Sequence, residues 1–281
     1  MKPTAHRVVL AGGYLAGLGS VAYFAVGGIS YYLTPLIARP RHPLYWALKP
    51  GGELGHDFGM VGSAMMIVML AYSLRKRLRI LRRLGPLTVW LDYHILLGVC
   101  GPLFVILHSS FKVGGLVALS FWSMIAVAAS GVLGRFLYRQ IPRTRAGDEL
   151  SLADVERLDR ELTRELIEEL SVPRETVEQI AAIAEEGIDP RRSLASLLLG
   201  MTFGPFVLRR RLQHLVKGAP RFEKAVMRKA LLRRRIVLWE RLREIFHYWH
   251  VLHKPFALIM YLFMVLHVAV AWSTGYVRIG G

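Results

Sequence analysis

A single cysteine, Cys100, is all that 281 residues contain. One thiol excludes an internal disulfide, a Cys-rich zinc site and an all-Cys iron–sulfur cluster. The Cys-x-x-Cys-His signature of covalently attached c-type haem is also missing. Acidic residues are scarce: 20 Asp and Glu face 37 Lys and Arg, which leaves a formal net charge of +17. Polar residues are too few for an ordinary soluble domain of this length, because 53% of the chain is hydrophobic and mean hydropathy is +0.36. There is no internal repeat and no low-complexity tract.

What is present is apolar sequence in long blocks. Five stretches, roughly 8–33, 56–74, 89–111, 115–138 and 247–272, are long enough to cross a bilayer. The first is rich in glycine (Gly12, Gly13, Gly17, Gly19, Gly27, Gly28), which suits close helix contact. It follows Lys2 and Arg7, exceeds a signal-peptide core and lacks a convincing small-residue cleavage site, so we expect a retained span. The pattern predicts an all-α polytopic membrane bundle. Residues 1–142 carry transmembrane helices 1–4, 143–246 form a small helical cytoplasmic insertion, and 247–281 hold helix 5 and a short extracytoplasmic tail.

The basic surplus sits between these blocks, as expected of cytoplasmic loops facing anionic lipid rather than of a nucleic-acid binder. Arg75, Lys76, Arg77, Arg79, Arg82 and Arg83 follow the second span, and Arg135, Arg139 and Arg143 end the fourth. Both regions are expected on the cytoplasmic side, which puts the N-terminus inside and the tail after Trp272 outside. Arg39, Arg41 and Lys49 in the connection 34–55 go against this scheme. In the insertion, Ser151 to Glu156 suggests a capped helix start, and Pro173 separates two short acidic helices. Leu194–Leu208 is apolar but short and interrupted by Gly200, Gly204 and Pro205, so it is expected to pack rather than cross.

Two spans each carry a pair of histidines fourteen residues apart: His94 with His108, and His253 with His267. Fourteen helical residues rotate by about 1,400°, close to four full turns, so each pair shares one face about 21 Å apart along the axis. Imidazole inside a bilayer is costly and marks function by default. Spans three and five run in the same direction in the five-span scheme. His94 therefore falls level with His253, and His108 with His267. Two facing imidazoles at two depths are what two stacked bis-histidine haems need. With no covalent attachment signature, both haems would be non-covalent haem b, with His94 and His253 on the inner iron and His108 and His267 on the outer.

Gly98 and Gly101, between the histidines of the third span, are expected to let the macrocycles approach its backbone. Ser109, Ser110 and Tyr93 are near enough in sequence to meet the second imidazole nitrogen, without a definite assignment. His250 is a reserve ligand or a propionate partner. His56 is an interfacial residue, or a quinone-handling, proton-handling or third-site group near the outer haem. His6, His42 and His214 look like surface residues, and Asp92 is expected to pair with an arginine of the 75–83 loop rather than to belong to a proton route. Pro255 either aims His253 or marks the start of the regular span.

These residues resemble a known group. Trp90 to His94, then His108 to Phe111, Gly114 to Leu116, Phe121-Trp122, Ser130-Gly131 and Gly134-Arg135, together with His250 to Pro255 and His267, resemble bacterial di-haem membrane cytochrome b proteins of the ferric-reductase-like transmembrane group. The resemblance covers the spans at about 56–143 and 247–272. It implies haem b, electron transfer across the membrane and a multi-pass place in the bacterial inner membrane. It also implies departures. Only nine residues follow Trp272, with no flavin or NAD(P)H domain, so the donor would be another polypeptide or a quinol. Partners are then membrane lipid, a redox protein or quinone, and further subunits of a larger complex. A haem- or metal-handling transporter and a non-redox membrane anchor are the alternatives. Zinc or copper transport fits the histidines less well, because ligands about 21 Å apart cannot share an ion.

Overall fold

The structure, a computed structural model, describes residues 3–141, 150–215 and 220–275. Lys2, Arg143 and the expected junction at 142/143 lie outside them. The described residues contain twelve α-helices and no strand. In order they are α1 (Pro3–Gly27), α2 (Ile29–Leu33), α3 (Tyr45–Leu48), α4 (Glu53–Met69), α5 (Ala71–Arg77), α6 (Leu87–Ser109), α7 (Gly115–Gln140), α8 (Leu152–Arg164), α9 (Arg174–Glu185), α10 (Leu194–Leu212), α11 (Pro220–Val237) and α12 (Trp239–Ser273). Five segments are long and apolar enough to cross a membrane: Thr4–Gly27, Tyr45–Arg77, Leu87–Ser109, Gly115–Gln140 and Trp239–Ser273. The chain is an all-α, multi-pass membrane protein. It divides into two compact units, Met1–Gly134 with Trp249–Gly281, and Arg135–Tyr248.

In the first unit, α4 and α6 form the closest helix pair. The reason is steric: a Cβ at Gly62 would lie 2.9 Å from the Gly101 carbonyl oxygen and 2.7 Å from a Val105 methyl, so only glycine permits this approach. Helix α1 lies on the same α6, with Gly13 over Leu96 and Gly17 over Cys100. Helices α7 and α12 meet this group chiefly through side chains, their backbones standing farther off. Two hydrogen bonds tie them in: Tyr261 Oη donates to the Met66 carbonyl at 2.6 Å, and Ser120 Oγ to the Met260 carbonyl at 3.1 Å. Between them Met66, Met124, Met260 and Met264 form a buried cluster.

Helix α6 starts after Gly85, whose φ of 84° turns the chain, and Pro86, which stands at its N-cap where no helical amide is lost. It ends at Ser110 and Phe111, both left-handed at φ 48° and 58°. Arg39 holds that end. Its guanidinium donates to the carbonyls of Thr34 (2.8 Å), Tyr32 (2.7 Å) and Ser110, and it lies over the Tyr31 ring. Lys49 sits 3.8 Å from the Trp46 ring centre. Two of the three charges that went against the orientation scheme are therefore engaged locally.

In the second unit, α8 opens with a capping box: Ser151 Oγ accepts from the Asp154 amide at 3.1 Å, and the Ser151 amide donates back to the Asp154 carboxylate at 3.2 Å. Pro173 stands at the N-cap of α9, in the short break after the preceding helical stretch. The segment expected to pack rather than cross is α10, which buries Leu197, Leu208 and Leu212. Leu208 and Leu212 join the core formed with Leu166, Val177, Ile180 and Val226.

The fifth apolar helix starts earlier than its hydropathy suggested, at Trp239 rather than 247. Its first turns belong to the second unit, where Trp239 and Leu242 are buried. Pro255 therefore lies well inside a continuous helix and is not its start.

Candidate functional site

The structure brings the four sequence-selected histidines into two pairs. His108 of α6 and His267 of α12 face each other with ring centroids 6.2 Å apart. His94 and His253, one helical stretch away on the same two helices, lie within electrostatic range of each other. The methionine cluster falls between the two levels, with Met260 seven residues from either α12 histidine. Its thioethers are flexible and apolar, suited to an irregular space between two layers.

Three of the four imidazoles are held through Nδ1. His108 Nδ1 lies 2.8 Å from the Gly55 carbonyl oxygen, and His94 Nδ1 lies 3.1 Å from that of Met69. A carbonyl only accepts, so both nitrogens carry the proton. His253 Nδ1 lies 2.7 Å from Ser130 Oγ. The serine hydroxyl hydrogen is already committed to the Val127 carbonyl at 2.9 Å, so the imidazole is the donor here too. Each of these rings thereby presents Nε2 as a lone pair, and among the described residues those Nε2 atoms make no hydrogen bond. This is the tautomer that a metal ligand needs, with the orienting partner already in place.

Space is shaped as well. A Cβ at Gly59 would sit 2.7 Å from His108 Nδ1, so α4 has no side chain where the outer imidazole nests. Trp249 packs on His253 with centroids 4.8 Å apart, and its indole nitrogen donates to the Ser130 carbonyl at 2.7 Å. Ser130 and Trp249 thus hold His253 from two sides.

Do these residues fit a haem? Two axial bonds of about 2 Å, with each ring centre a little over 1 Å behind its nitrogen, place the centroids of a bis-imidazole pair about 6 Å apart. The His108–His267 spacing matches that distance. The donor chemistry, neutral imidazole with an anchored Nδ1, fits too. Among the described residues no group of three His, Cys, Asp or Glu side chains converges as a metal site.

Other expectations need correction. Gly101, expected to admit a macrocycle, serves the α4–α6 contact instead, facing Gly62, Met65 and Met66, whereas a Cβ at Gly98 would meet only the Met69 sulfur at 3.6 Å. His6 is not a surface residue; its Nε2 meets the Asp92 carboxylate at 3.1 Å and its side chain is 14% exposed. Asp92 is thus partnered from α1. The imidazole partners come from outside the near sequence, since Ser109 Oγ donates to the Ile106 carbonyl and Ser110 Oγ to that of Leu48. Tyr93 meets His6 edge-on. His56 lies within electrostatic range of His108. His250 packs against Trp249. His214 is exposed, whereas His42 stacks edge-on with Tyr31 and accepts from the Leu44 amide.

Sequence reasoning missed Gly55, Gly59, Met69 and Ser130. Only Ser130 left a signal, a hydroxyl in an apolar helix. Compared with family models, curated proteins and solved structures, the chain gives no match.

Proposed function

We propose that this protein is a di-haem b-type membrane cytochrome that relays electrons across the bilayer. His94 and His253 would hold one iron, and His108 and His267 the other. The observation that carries this is the pairing itself: His108 faces His267, His94 lies within electrostatic range of His253, and three of the four imidazoles have Nδ1 anchored and Nε2 unengaged. A bound haem would supply reversible one-electron chemistry that no side chain here offers.

The chain's own residues do the rest. Met69 and Gly55 carbonyls and Ser130 Oγ fix tautomer and ring direction, which keeps the ligands neutral and basic. The cluster of Met66, Met124, Met260 and Met264 keeps water out of the space between levels. Tyr261 and Ser120 hold α12 in register with α4 and α7. The Lys and Arg clusters orient the bundle with the N-terminus and the segment 143–246 in the cytoplasm of a bacterial cell. A cytoplasmic redox protein or a quinol would donate, and a quinone or extracytoplasmic acceptor would receive. An acidic protein donor suits the basic surplus, and its reduction rate would then fall with salt.

The test is haem per chain by pyridine haemochrome on purified protein, with reduced-minus-oxidised spectra. Two haem b per chain are expected. No haem in folded, membrane-extracted protein would end the cytochrome proposal and favour a non-redox anchor.

A further inference from the structure

A second site lies in the Arg135–Tyr248 unit, independent of the histidines. A cavity of about 190 Å³ has Arg192, Arg234 and Arg235 in its lining. Its apolar lining includes Leu197, Met201, Pro205, Leu231, Leu238 and Leu242. One carboxylate, that of Asp189, shares the lining and already accepts from the Arg191 amide at 2.9 Å. Three guanidinium groups against one carboxylate leave a surplus of positive charge.

Arg192 is exposed, but Arg234 and Arg235 are partly buried and lack the partners that such guanidinium groups normally have. Among the described residues the Arg192 and Arg235 side chains make no hydrogen bond or ion pair. Arg234 makes one long contact, 3.4 Å to the Gly204 carbonyl. Burial pushes Arg234 and Arg235 below the usual guanidinium range, and neighbouring Arg211 adds repulsion at Arg234. Other partly buried or half-exposed arginines of the unit have acidic partners, as Arg233 has Glu185 and Arg209 has Glu223. Unpaired, partly desolvated guanidinium groups cost stability, and an anion with several acceptor oxygens would remove that cost.

The geometry of the wall narrows the ligand. An inorganic anion alone has no use for so extensive an apolar lining. The lining also includes Gln140, the last residue of α7, and Leu242, in the first turns of α12, both helices long and apolar enough to cross a membrane. The volume is below the range of drug-sized pockets, which suits a head group with its first carbons rather than a whole lipid. Basic pockets at the ends of membrane helices are established places for phosphate head groups.

We propose that the Arg192–Arg234–Arg235 cavity binds a phosphate ester with an apolar stem, supplied by the head group of an anionic membrane lipid. Two guanidinium forks take the phosphate oxygens, and the Leu and Met side chains take the stem.

The test uses the full-length protein in neutral detergent, with phosphatidylglycerol and phosphatidylcholine as probes and native mass spectrometry as the readout. Wild type is expected to retain phosphatidylglycerol over phosphatidylcholine. R234Q/R235Q should bind it at least tenfold more weakly, whereas R160Q, at an exposed arginine outside the cavity, should bind as wild type. Should the double variant not fold, Gly200→Leu answers the same question. Gly200 lines the cavity and an added Cβ there meets nothing within 4 Å, so leucine fills the space with every arginine kept. Displacement of the lipid by millimolar glycerol phosphate would uphold the phosphate site and assign it to a soluble ester. Equal retention of both lipids, or equal binding by wild type and both variants, would overturn the proposal.

Discussion

The Nδ1–H of His108 donates to the backbone carbonyl of Gly55 across 2.8 Å, so a turn of α4 fixes the tautomer of an imidazole carried by α6. That bond exists because α4 is unusually open there. Gly59, one turn further along, leaves room for the ring, and Gly62 lets the two helix backbones meet. The anchoring of the outer imidazole therefore depends on a helix that contributes none of the four paired histidines.

Filling that room should dislodge the ring. In Gly59→Val a branched side chain occupies the place of His108 Nδ1, an overpacking worth about 1–3 kcal/mol. We expect the outer haem to be lost or its low-spin spectrum broadened, with the inner haem unchanged. Electron paramagnetic resonance of the oxidised protein separates the two. Equal loss at both sites would contradict a local effect.

Ser130→Ala removes the acceptor for His253 Nδ1–H and spares both helices. The expected result is a drop of about 10–100-fold in inner-haem affinity, measured by titration of the apoprotein. Ser130→Thr keeps the hydroxyl and should restore most of it. If threonine failed to rescue while alanine weakened binding, packing rather than the hydrogen bond would be responsible.

Arg39→Gln tests the clasp on the end of α6. A buried guanidinium serving three carbonyls stabilises by about 3 kcal/mol, and glutamine cannot span them. The thermal transition in detergent should fall by several degrees. Arg39→Lys should recover little, because an ammonium lacks the planar fork. Full recovery by lysine would show that charge alone matters.

Much of this was legible in the sequence. The fourteen-residue spacing marks each histidine pair because a helix repeats every 3.6 residues, and the hydropathy blocks mark five helices. What was not legible depends on which face meets which neighbour. Gly98 and Gly101 share the face of His94 and His108, but nothing in one dimension says that this face also packs on α4. His6 meets Asp92 from 86 residues away, and Arg39 takes the Ser110 carbonyl 71 residues on. The start of α12 was missed because its first turns are polar enough to end a hydropathy block while still burying Trp239 and Leu242 in the other unit.

Lys229 offers a pH test in the second unit. Its ammonium is 2.7 Å from the Asp159 carboxylate and 2.6 Å from Thr163 Oγ, yet burial outweighs these contacts and holds its pKa below the ordinary 10.5. Between the lowered value and 10.5 the unfolded chain binds more protons, so stability rises with pH there and falls as pH drops through the folded value. The melting temperature of wild type relative to Lys229→Met should climb as pH rises toward 10.5. A difference flat in pH would contradict the assignment.

The most direct test of the central claim is haem per chain across paired and crossed double variants. His108→Ala/His267→Ala removes both ligands of one proposed iron and should leave about one haem, the same as either single variant. His94→Ala/His108→Ala removes one ligand from each and should leave none. If the crossed variant kept a haem, or the same-level double lost both, the two-level bis-histidine arrangement would be wrong.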